Sequence, residues 1–130
     1  MKKYMLELTE TQALLVRDAL DLYARIGLGQ FEAVCDVFGR SDEMLAGIHI
    51  AKKACGFPAS GSHGLHNAKV HDRFRQAWDI CQVVRNKVAW ERKPEGGLEV
   101  QFYKPHQTSD SEGLPICLSK DFPDRKGGHL

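Results

Sequence analysis

Two long stretches of this sequence return to an apolar residue every three or four positions, a spacing that only an α-helix gathers onto one face. The first opens on Thr9-Glu10-Thr11-Gln12, a capping box in which the threonine and the glutamine each satisfy a free backbone N–H. Leu15, Ala19, Leu22, Tyr23 and Ile26 then form a stripe, and Gly27 is expected to stop the helix in a left-handed conformation. In the second, Val70, Phe74, Ala77, Trp78, Cys81, Val84 and Val88 predict a helix from about Ala68 to Arg92, ended by Pro94 and Gly96–Gly97. Two shorter helices are expected between them. One is the apolar run 31–38, closed by Gly39. The other is capped by Ser41, has Asp42 and Glu43 in its first turn, carries Met44, Leu45, Ile48 and Cys55 on its buried side, and ends at Gly56.

Three segments carry the other period. Tyr4, Leu6 and Leu8 alternate with Met5 and Glu7; Leu98, Val100 and Phe102 alternate in "LEVQFYK"; "PICLSK" is a short run of the same kind. The expected fold is therefore α+β and helix-dominated: about four helices with a small antiparallel sheet built from the N-terminal strand and two C-terminal strands. A chain of 130 residues without repeats or linkers fits one domain, placed at 1–122, with 123–130 a frayed tail.

Cysteine usage points to a reducing compartment, since Cys35, Cys55, Cys81 and Cys117 are far apart and form no C-x-x-C pair. The N-terminal residues turn polar too soon for a signal peptide, and no apolar run approaches the roughly 20 residues that span a bilayer. A soluble cytoplasmic protein is expected. The net charge is only +1, but it is unevenly spread: residues 49–93 hold nine Lys/Arg against three Asp/Glu, and the flanks are acidic. Such a block suits an anionic ligand, or the acidic part of a second subunit in a homo-oligomer.

Functional residues are sought first in "GFPASGSHGLHNAKVH", which holds His63, His66 and His71 among glycines and serines. Asn67, a preferred N-cap type, precedes the long periodic pattern, so one reading of the loop is simply delivery of the chain to that helix. His63-x-x-His66 matches no zinc signature, and no metal or other cofactor is expected. Cys35 and Cys81 fall on apolar stripes, and Ser60 and Ser62 lack a nucleophile-elbow context. There is no P-loop, dinucleotide fingerprint or H-E-x-x-H, so the chain is expected to be non-enzymatic, with a His- or metal-dependent hydrolase using His63, His66 and His71 as an alternative. A pI of about 7.7 and the lack of a recognition motif argue against nucleic acid. The favoured chemistry is anion binding, because a glycine-rich loop entering a helix N-terminus offers free N–H groups to phosphate. Lys69 and Arg73 would add charge, His63, His66, Asn67 and His71 would donate hydrogen bonds, Arg85 would extend the basic surface, and Trp90 could stack on a base. Trp78 is expected in the core.

"LELTETQALLVRDALDLYARIGLGQFE" and "AWDICQVVRNKVAW" resemble small proteins encoded by tailed bacteriophages and prophages. That family has no assigned activity, so the resemblance supplies no catalytic residues. It implies a setting, the cytoplasm of an infected bacterium, and a stoichiometric accessory role such as counter-defence. The resulting expectation is a protein that sequesters a small phosphate-bearing, nucleotide-derived ligand. The alternative is a module that blocks a host protein through Leu28, Phe31 and Phe38.

Overall fold

The computed structural model describes residues 1–58 and 61–121. In chain order it contains α1 (Glu10–Gly27), a 3-10 turn (Phe31–Val34), α2 (Cys35–Phe38), α3 (Asp42–Ala54), α4 (Asp72–Arg92) and a second 3-10 turn (Val100–Phe102). Ser60 and the tail expected over 123–130 lie outside the described residues.

The capping box forms as the sequence predicts. Gln12 N donates to Thr9 Oγ1 at 3.1 Å and Thr9 N donates to Gln12 Oε1 at 2.9 Å. Ser41 Oγ likewise accepts from Met44 N at 3.0 Å and starts α3. Helix α1 packs along α4, with Tyr23 and Phe74 rings 5.0 Å apart, and Ala24, Ala77, Cys81 and Ala89 are buried. Small residues let the two backbones approach closely. Gly27 serves that approach rather than the helix stop: a methyl group there would run into the Phe74 ring, and the left-handed residue is Gly29, at φ 90°.

Three expectations are corrected. Among the described residues there is no β-strand, so the protein is helical and the α+β fold with an antiparallel sheet is overturned. Alternation marks an extended chain, but a ladder also needs a neighbouring strand for its N–H and C=O groups. Here α4 side chains take those groups instead. Asn86 Nδ2 donates to the carbonyls of Gln101 and Tyr103, both at 3.0 Å, and Trp90 Nε1 donates to that of Phe102 at 3.2 Å. Gln82 holds the backbone of His106 through both its N–H and its carbonyl. Residues 101–111 thus run back along α4 as a strap, while Tyr4, Met5, Leu6, Ile116 and Leu118 stay exposed.

The second correction concerns the start of α4, which is Asp72 rather than Ala68. Its N-cap is His71, whose Nδ1 accepts from Arg73 N at 3.0 Å. Asn67 closes a separate turn, its Oδ1 accepting from Lys69 N at 2.9 Å. The third is smaller: the helix expected over 31–38 divides into the first 3-10 turn and the single turn of α2.

Candidate anion site

The loop residues singled out from the sequence are placed at the N-terminal end of α4. His63 is half-buried, donates its backbone N–H to Leu28 O at 2.8 Å, and sets its ring against Phe57, 5.1 Å between centroids. It anchors the loop to the end of α1. His66, Asn67 and Lys69 are exposed; His71 caps the helix, and its Nδ1 also accepts from Arg73 Nε at 3.2 Å. Arg85 and Trp90 stand farther along α4. From Arg73 to Arg85 is roughly 18 Å of helix axis, so the eight residues do not form one site.

The buried charge at the start of α4 is met from within the protein, while exposed Lys69 and Arg73 make no ion pair among the described residues. Asp72 sits in the first turn and accepts from Ser109 Oγ, Ser111 Oγ, the Asp110 backbone N–H, Gln76 Nε2 and Arg75 Nε. These donors, the Ser111 hydroxyl first, then the Asp110 N–H and Gln76, hold its carboxyl well below the usual aspartate value of 3.8. Arg75 is buried, 7% exposed, and also donates to the Leu65 and Val70 carbonyls and to Asp110. One turn on, buried Asp79 accepts from Thr108 N, Thr108 Oγ1 and Ser109 N. Every member of this network has its partners, and the network fastens the strap.

At the other end of α4 the balance is different. A cavity of about 140 Å³ opens between α1, the C-terminal half of α4 and the second 3-10 turn. Arg17 reaches it from α1, Arg85 and Arg92 from α4, Lys93 from the α4 C-cap, Glu99 from the N-cap of the second 3-10 turn and Gln101 from the strap, with Val88 and Phe102 as apolar wall. Arg17 pairs with Asp18 at 2.8 Å and Arg92 with Glu10 at 2.7 Å, both in solvent-exposed contacts. Arg85 has no acid partner among the described residues. Its guanidinium carbon lies 5.4 Å over the Trp78 ring, and its Nε is buried without a hydrogen-bond acceptor. A cation–π contact is worth about 0.5–2 kcal/mol, which offsets part of the cost of taking that group from water. Guanidinium edges are suited to oxyanions because their N–H groups form a planar fork.

A second, apolar cleft of about 210 Å³ is lined by Ala24, Leu28, Leu65 and Trp78, with Arg25 and Gln30 at its rim. Trp90, which the sequence offers as a stacking platform, is engaged with the strap and meets Phe102 edge-on at 5.3 Å.

Neither Cys81 nor Cys117 is an activated thiol. Burial, the largest cause, pushes Cys81 up to about 11 and raises Cys117 as well. Among the described residues no three His, Cys, Asp or Glu side chains converge where one metal ion would sit. No helix among them is long and apolar enough to cross a membrane.

The sequence reading named Arg85 but not Arg17, Arg92 or Lys93, which reach the cavity through the packing of α1 on α4. It also missed the polar stripe Asp72, Gln76, Asp79, Gln82 and Asn86. That stripe recurs every three or four residues opposite the apolar one, and the spacing alone signals that something polar lies along that face. Comparison with models of known protein families, with curated proteins and with solved structures finds no match.

Proposed function

We propose that this chain is a non-enzymatic binding protein for a small phosphate-bearing ligand, and that the ligand occupies the cationic cavity with Arg85 as its innermost contact. One observation carries the reading: a half-buried guanidinium whose Nε has no acceptor, in a cavity where three further cations arrive from two helices. A buried charge without a partner costs folding free energy, and an oxyanion held by the part of the guanidinium that lines the cavity offsets some of it. His63, His66, Asn67, Lys69, His71 and Arg73 fall outside this site; of the residues named from the sequence, Arg85 lines it and Trp90 steadies the neighbouring strap. In the setting that the phage resemblance implies, the host bacterial cytoplasm, the protein would act by sequestering a nucleotide-derived signal. The acidic flanks and basic centre of the sequence support a homo-oligomer.

Thermal unfolding of the full chain with increasing inorganic phosphate tests the reading. Phosphate raises any midpoint to some extent as an excluded salt, and binding to the native state adds to that: a ligand at 100 times its Kd contributes about 2.7 kcal/mol, on the order of 10 °C for a chain of this size. The wild type is expected to rise by that further amount, and Arg85→Gln by the salt effect alone. A wild-type midpoint that rises no further than that of Arg85→Gln excludes the cavity as a phosphate site.

A second reading has one observation in its favour. Phe38 is 76% exposed beside Val37, also exposed, a pair that suits a protein partner. Leu28, by contrast, lines the apolar cleft, and Phe31 packs on Phe57. Capture of one host protein by the wild type but not by Phe38→Ser, with no response to phosphate, would favour a host-blocking module.

A further inference from the structure

Resting on that cavity as a phosphate site, we infer that it is shaped for a chain of linked phosphates, as in a nucleoside di- or triphosphate, rather than for a single phosphate group. The cations are strung along an axis. Arg85 and Arg92 lie two turns apart on α4, about 10 Å of rise, and Lys93 follows directly. Arg17 joins them from α1. One tetrahedral phosphate meets one end of this row at a time; linked phosphates reach both.

The two ends also differ in how ready they are. Arg85 holds its buried Nε without an acceptor, and Lys93 makes no ion pair among the described residues. Arg92 is already oriented by Glu10 and Arg17 by Asp18, acids that keep the guanidinium planes in place without closing the cavity. At about 140 Å³ the space falls short of the several hundred that enclose a whole organic ligand. The phosphates therefore enter and an attached nucleoside stays outside.

Two features work against an anion and shape the expectation. The last turn of α4 carries partial negative charge from its free carbonyls, so the attraction must come from side chains. Glu99 places a carboxylate in the strap-side wall. The phosphates must lie toward α1 and α4, and neutralising Glu99 should tighten their binding.

Calorimetric titration of the full chain with orthophosphate, pyrophosphate and tripolyphosphate decides the matter, with citrate as a non-phosphate polyanion. Tripolyphosphate is expected to bind at least about tenfold more tightly than orthophosphate, the gain of one further charge-assisted contact. Lys93→Gln, which breaks no ion pair among the described residues, and Arg92→Gln/Lys93→Gln should each shrink that ratio, the double variant toward one. Glu99→Gln should raise affinity for all three phosphates a fewfold. Equal affinity for the three ions, a ratio unmoved by Lys93→Gln, or citrate binding as tightly as tripolyphosphate would each overturn the linked-phosphate inference and leave the simpler phosphate site standing. Failure of every phosphate to bind would remove both.

Discussion

The two halves of α4 handle buried charge in opposite ways. In the N-terminal half, Arg75 and Asp79 are buried deeply, yet each is surrounded by partners that the chain itself brings back through Thr108, Ser109 and Asp110. In the C-terminal half, Arg85 is less deeply buried, lies over the Trp78 ring and has no ion pair or Nε acceptor among the described residues. A matched network is architecture: it fixes the strap on the helix and has nothing to offer a ligand. An unmatched group at a cavity costs stability unless something outside the chain completes it, and it is the mark by which a binding site is recognised here.

This contrast can be broken most forcefully at the two arginines. Arg75→Met strands Asp110 and two backbone carbonyls and should cost about 3 kcal/mol in denaturant unfolding. Gly27→Ala, in the same tightly fitted half, forces the Phe74 ring to move and should cost roughly 2 kcal/mol. Arg85→Met should act with the opposite sign, raising the stability of the ligand-free protein by about 1 kcal/mol while abolishing its response to phosphate. A loss at Arg85 equal to that at Arg75 would erase the distinction between the halves.

The smallest effect is set by pH. Folded Asp72 holds its proton more weakly than the unfolded chain does, so its contribution is present above the ordinary value of 3.8 and is lost as the solution becomes more acidic. Asp72→Asn should flatten that acid limb of the stability profile, measured by urea midpoints between pH 5 and the onset of acid unfolding.

The sequence made the helices legible and the strap illegible for the same reason. Thr9 with Gln12 and Ser41 with Met44 are local bonds within one turn, written in residue types three apart. Asn67 and His71 both suit a cap, and which of them starts α4 is decided by turns that no local rule ranks. Leu98, Val100 and Phe102 alternate as a strand would, but the carbonyls of residues 101–103 are claimed by Asn86 and Trp90 on a helix. The site divided in the same manner. The basic character of residues 49–93 was visible as composition; that Arg85 lacks a partner depends on where Trp78 and the strap come to lie, which is a tertiary fact.

The arginine side-chain N–H resonances give the most direct test of the central claim. With the Nε–H signals of Arg75 and Arg85 resolved in a ¹H–¹⁵N spectrum, inorganic phosphate should move the Arg85 signal progressively to saturation and leave that of Arg75 in place. Saturating phosphate with both signals unmoved would contradict the account.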